Sequence, residues 1–162
     1  MKCLAVIGFA NCAQDDYKKF LEYKIKHDVL VVGIDALNKY KGQVKYFATY
    51  HAEDIPKCQD RAYKIICHKQ WNDMVDIIRP IDLKKEPSGS SALLGTLVAI
   101  DRGYKKIILC GCPLQGKNDK GVSYVVFQKG WKFHKQSVAD YVRSMSGWTK
   151  EFFGYPTLEW LR

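Results

Sequence analysis

Short apolar runs alternate along the chain with amphipathic and polar stretches. Lys2–Gly8 (KCLAVIG), Asp28–Gly33 (DVLVVG), Gln43–Tyr50 (QVKYFATY), Ala62–Cys67 (AYKIIC) and Lys105–Cys110 (KKIILC) each read as strands buried on both faces. Between the first two, Tyr17, Phe20, Leu21 and Ile25 recur at helical spacing over 15–26, with Asp15 and Asp16 near the start. The clearest unit lies in the second half. Pro87-Ser88-Gly89-Ser90-Ser91 opens a helix whose Leu93, Leu94, Leu97, Val98 and Ile100 form a broad apolar stripe. Gly103 closes that helix, and the strand to Cys110 follows and ends at Gly111. Beyond it come a loop rich in glycine, lysine, asparagine and aspartate (Gln115–Gly121), an amphipathic stretch over 131–143, and a short terminal helix capped by Thr157. Strands alternating with helices predict a three-layer, Rossmann-like α/β domain with a mostly parallel sheet.

Composition narrows the class. The chain has 162 residues, 47% hydrophobic and 27% charged, which suits one domain spanning 1–162 and excludes wholesale disorder. No apolar run approaches the roughly 20 residues of a membrane-spanning helix, and the apolar stretch Cys3–Gly8 is short for a signal peptide. No membrane partner and a cytoplasmic location are therefore expected. The six cysteines are scattered; Cys110-Gly111-Cys112 lacks the second close pair of a zinc site, so buried reduced thiols are expected and no metal is assigned. Net charge is +9, which favours an anionic partner without choosing among nucleotides, sugar phosphates and nucleic acid.

Ligands of open α/β sheets bind beyond the carboxyl ends of the strands. That rule selects the loops Gly8–Cys12, Gly33–Ala36, Tyr50–Asp54 and Gly111–Gly116, with the helix start at Ser88–Ser91 as a fifth element. Free backbone N–H groups and serine hydroxyls there suit a phosphate, although a serine-rich N-cap needs no ligand. Neither GxGxxG nor GxxxxGK[ST] nor GxSxG occurs. His51, with Glu53 and Asp54 close by, and His134 are the candidate general bases; the plain alternatives are a loop histidine and a solvated helix position. Asp35 is placed to contact a ribose or to cap the next turn. The aromatics of the last third, Trp131 to Trp160, read better as packing than as a base-stacking surface.

The segment SGSSALLGTLVAIDRGYKKIILCGCPL (Ser88–Leu114) resembles the SG-x-x-A…A-x-x-x-GYK-x-I-x-L-x-G motif of a Rossmann-like superfamily. Its branches hold bacterial sialyltransferases that use CMP-sialic acid, proteins similar to 6-hydroxymethylpterin diphosphokinase, and flagellin-modification glycosyltransferases. The match covers about a sixth of the chain. Gly8 also fits, but Phe9-Ala10-Asn11-Cys12 stands in place of the family's Asn-Gly-Pro-Ser, Asp35 in place of a usual asparagine, and Pro113 in place of a common acidic residue. The tail from Val142 resembles small phage and prophage proteins.

The resemblance implies that Ser88, Gly89, Ser90 and Ser91 hold phosphate, with Gly8 and Gly111 close by and Asn11 and Asp35 on base or ribose. The protein would then bind a nucleotide or nucleotide sugar, as a glycosyl- or phosphoryl-transferase with His51 or His134 as base. The alternative is a non-catalytic protein that binds or sequesters a nucleotide signal. A basic nucleic-acid binder ranks third, because no nucleic-acid module is visible. No cofactor is identified.

Overall fold

The computed structural model describes residues 2–58, 62–82, 84–117, 121 and 123–162. Its centre is a seven-stranded sheet: β1 (Cys3–Ile7), β2 (Asp28–Val32), β3 (Tyr46–Ala48), β4 (Lys64–Cys67), β5 (Ile77–Ile78), β6 (Lys106–Cys110) and β7 (Val142–Ser144). The spatial order is β5-β4-β3-β2-β1-β6-β7, and every pairing is parallel. The chain winds outward from β1 to β5, then crosses back to place β6 on the other side of β1. This is the three-layer, Rossmann-like α/β fold the alternation predicts.

The pleat sends alternate residues to opposite layers. Leu4 and Val6 of β1 face a core shared with α3 (Ser91–Asp101), Trp131 of α4 (Val125–Phe133), Val138 of α5 (Lys135–Val138) and Phe153 of α6 (Gly147–Phe153). Cys3, Ala5 and Ile7 face Phe20 of α1 (Ala13–Leu21), Ala36 of α2 (Ile34–Lys39) and Leu161 of α7 (Leu158–Leu161). On this second face a 3-10 turn, Ala52–Lys57, packs Ile55 against Phe47 and Ile65. Strands covered on both faces explain why the apolar runs are continuous rather than alternating.

The α3 helix is buried from Ala92 to Ala99. Gly95 lies so close to the sheet that a Cβ would press on Leu30 and Ala48. At its end Gly103 takes φ +82, the left-handed conformation of a helix stop. Each buried leucine of α3 contributes about 1.5–3 kcal/mol, so packing outweighs propensity in holding this helix.

Several boundaries differ from the sequence reading. The first helix stops at Leu21, where Glu22–Lys24 turn and Lys24 takes φ +55. The stretch over 131–143 is not one helix: α4 ends at Phe133, α5 spans one turn, and Val142–Ser144 forms the edge strand β7. Val142 and Ser144 are buried with Arg143 between them, an alternation too brief to read as a strand. β5 has two residues and escapes pattern reading for the same reason. The terminal cap is as expected, with Thr157 Oγ1 accepting from Trp160 N at 3.1 Å. Of the loop expected over 115–121, residues 118–120 lie outside the described residues.

The aromatic tail packs. Trp148 stacks on Phe152 at 4.5 Å, and Trp160 lies under both the Lys106 ammonium and the Arg143 guanidinium. Five cysteines are buried and Cys12 half-buried; burial pushes the Cys3 thiol up to about 12. No helix among the described residues is long and apolar enough to cross a membrane.

Candidate functional site

The carboxyl ends of β1 and β6 mark the point where strand order reverses. A cleft of about 810 Å³ opens there, walled by the loops after β1, β2, β3 and β6 and by the start of α3. Among the sequence-predicted residues, Gly8, Asp35, His51, Ser88, Ser90, Ser91 and Gly111 line it. Asn11 does not; it lies in a separate cavity behind Phe9 and Ala10. Neither Gly89 nor His134 reaches the cleft lining.

The floor is built from buried hydrogen bonds. Gly111 turns with φ +67, and its N–H donates to Asp16 Oδ2 at 2.8 Å. Ser146 Oγ donates to the same oxygen at 2.6 Å, and Asp16 is only 4% exposed. Thr149 Oγ1 donates to the Cys112 carbonyl at 2.8 Å, which ties α6 to the same loop. A Cβ on Gly8 would strike the Gly111 carbonyl and Cys112 Sγ, and one on Gly111 would strike Ala13. These two glycines thus let two loops close on each other, a task distinct from admitting a ligand to the backbone.

The wall at α3 is prepared differently. Ser90 is the N-cap, its Oγ accepting from Leu93 N at 3.4 Å, and Ser91 Oγ accepts from Tyr50 N at 3.2 Å. Both oxygens are engaged as acceptors, and both residues line the cleft. The first N–H groups of α3 have no partner within the helix and carry its positive end. Gly89 is held from behind: the backbone of Gly130 in α4 approaches so closely that a Cβ there would strike Gly89 and Pro87.

His134 reinforces this clamp. Its Nε2 lies 3.0 Å from Glu86 Oε2, and both side chains are largely buried. Burial holds its pKa below the ordinary histidine value, partly offset by Glu86. The contact ties the segment before Ser88 to the end of α4. The structure therefore places His134 behind the start of α3, outside the cleft lining.

The rim is open to solvent. His51 Nδ1 lies 3.3 Å from Glu53 Oε1, with about two-thirds of each side chain exposed. The His51 backbone N–H donates to Thr49 Oγ1 at 3.0 Å, and Thr49 in turn donates to the buried Asp54 at 3.0 Å, so the loop is anchored beneath an exposed imidazole. Asp35 stands exposed on the first turn of α2, after Gly33 at φ +79.

Sequence reasoning passed over Tyr50 and His68, whose rings pack at 4.9 Å along the cleft, and Lys57, which lies 3.4 Å from Asp54. The Tyr50 hydroxyl is buried without a partner among the described residues, and burial raises its pKa. Burial and Lys69 lower that of His68. His68 follows β4 directly and Tyr50 lies two residues past β3, which was the available signal. Tyr124, at the N-cap of α4, and Phe127 also line the cleft. No group of three or more metal-ligating side chains occurs among the described residues.

No family model, curated protein or solved structure matches this chain.

Proposed function

We propose that the cleft binds a nucleotide or nucleotide sugar and that the protein is a glycosyl- or phosphoryl-transferase. One observation carries the reading: the start of α3, with Ser88, Ser90 and Ser91, opens into a cleft at the β1/β6 reversal point. Helix-end N–H groups and serine hydroxyls converge on one place, which suits a diphosphate. Lys57, on the 3-10 turn and 3.4 Å from Asp54, also lines the cleft, and Asp35 presents a carboxylate to ribose hydroxyls.

In the transfer, His51 takes the proton of an acceptor hydroxyl. The acceptor oxygen then bonds to the donor's reactive carbon or phosphorus as the bond to the nucleotide phosphate breaks. The leaving phosphate keeps that electron pair and rests on the α3 N–H groups, while Glu53 steadies the imidazolium. A cytoplasmic site of action, in a bacterial host for a phage-encoded chain, belongs to the same reading. It draws on the buried thiols and the tail resemblance.

The second reading, a non-catalytic nucleotide binder, is favoured by one fact: His134, one of the two candidate bases, is engaged with Glu86 away from the cleft. The two readings share the pocket and differ in turnover.

Ser90→Asp tests the pocket. Aspartate caps a helix as well as serine does, so the melting temperature should hold. Its charge opposes a phosphate, so affinity for the best nucleoside diphosphate should fall about tenfold or more. Unchanged affinity in the folded variant would place the phosphate elsewhere.

A further inference from the structure

Behind the Phe9–Ala10 backbone lies a second cavity of about 600 Å³, between the start of α1 and the end of α2. Gly8, Phe9, Ala10 and Ala36 form a wall common to it and the cleft. Its volume is that of a small-molecule site.

Three aromatic side chains, Phe9, Tyr17 and Tyr40, contribute its ring surfaces. The tyrosines are fixed: Tyr40 Oη donates to Tyr17 Oη at 3.2 Å, Tyr17 Oη lies 3.0 Å from His27 Nε2, and the two rings meet edge-on at 5.7 Å. Positive charge comes from Lys41 and from Lys39, whose ammonium sits 4.3 Å from the centre of the Phe9 ring. No carboxylate is among the described residues lining the cavity, and Asp16 beside it is turned to Gly111 and Ser146. The side-chain amides of Asn11 and Gln14 make no hydrogen bond among the described residues and can donate or accept.

Locked rings, two ammonium groups and two unspent amides describe a complement to one ligand class. We propose that this cavity is a second binding site, for a small flat-ringed anion such as an aromatic carboxylate, sulfonate or phosphate. Its ring packs on the aromatic walls and its charge meets Lys39 and Lys41. A ligand here would be separated from one in the cleft by the shared wall of Gly8, Phe9, Ala10 and Ala36, close enough for the two occupancies to influence each other. The cavity stands on its own geometry, whatever the cleft binds.

The test is calorimetric titration with 8-anilinonaphthalene-1-sulfonate, an aromatic anion, and involves no nucleotide. Wild-type protein should bind one equivalent. The double variant Lys39→Glu/Lys41→Glu should bind about tenfold more weakly or worse, because two attractive charges become repulsive. Gln14→Trp, at an exposed position of α1, should block the cavity while the melting temperature holds. Val126→Glu controls for the exposed apolar residues of α4, Val125, Val126 and Phe133, and should leave binding intact. No binding to the wild type, unchanged affinity in both cavity variants, or loss confined to Val126→Glu would each overturn the proposal.

Discussion

The floor and the rim of the cleft are built on opposite terms. On the floor, Asp16 accepts from Gly111 and Ser146 out of contact with water, and Gly8 closes against Gly111 without room for a methyl group. On the rim, His51 and Glu53 meet in solvent and Asp35 stands exposed. An exposed pair of that kind contributes little to stability, because water screens both charges. The floor therefore holds the fold, and under the proposed function the rim is free to hold a substrate.

That division can be broken at graded points, taken here by their expected effect on stability. Asp16→Ala should cost most, roughly 3 kcal/mol or more, since it leaves the Gly111 N–H and the Ser146 hydroxyl without their charged acceptor. Urea unfolding reads this directly, and a loss below 1 kcal/mol would show that the floor is not held by this carboxylate. Gly8→Ala should cost about 2 kcal/mol, because the added methyl meets backbone that cannot move aside. A well-tolerated alanine would mean the two loops part easily.

The burial of His134 should show itself in pH dependence. The pKa of His134 is lower in the folded protein than the ordinary 6.5 of the unfolded chain. The unfolded state therefore binds more protons as pH falls below 6.5. The stability contribution is complete above that value and is lost progressively as pH drops through it towards the folded pKa. Burial lowers the His68 pKa too, with the same sign. Melting temperature should fall from pH 7.5 to pH 5, and His134→Gln should flatten the fall in part. An unchanged slope would assign the effect to His68 or elsewhere.

At the rim, His51→Ala should change stability by less than about 0.5 kcal/mol. If the protein is a transferase, the same change should lower turnover about 100- to 10,000-fold with nucleotide affinity retained, since a general base acts on the acceptor. Affinity and turnover falling together would make His51 a binding residue instead.

The pattern of apolar runs carried the layers and five of the seven strands, because strands covered on both faces leave uninterrupted hydrophobic stretches. β5 and β7 were not readable: two and three residues supply no period, and Arg143 inside β7 looks like a helix-surface residue. At the site, the strand-end rule led to Gly8, Asp35, His51, Gly111 and the serines of α3, because position along the strand is a sequence property. It could not show that Asn11 lies behind Phe9, nor that His134 meets Glu86. Those outcomes depend on which way a loop or helix end turns once packed. The glycines illustrate the limit best. Their type was visible, but whether each makes room for a ligand or for a neighbouring loop is decided by distant residues such as Ala13 and Cys112.

Under the proposed function, the cleft takes a nucleotide phosphate on α3. The most direct measurement is a thermal-shift panel of CMP, CDP, UDP, GDP, ADP, CMP-sialic acid and ATP with Mg²⁺, run on wild-type protein. A specific ligand at 100 times its dissociation constant should stabilise by about 2.7 kcal/mol, a resolvable rise in melting temperature. Such a rise is expected for at least one nucleotide, with its loss in Ser90→Asp. No shift with any of them would contradict it.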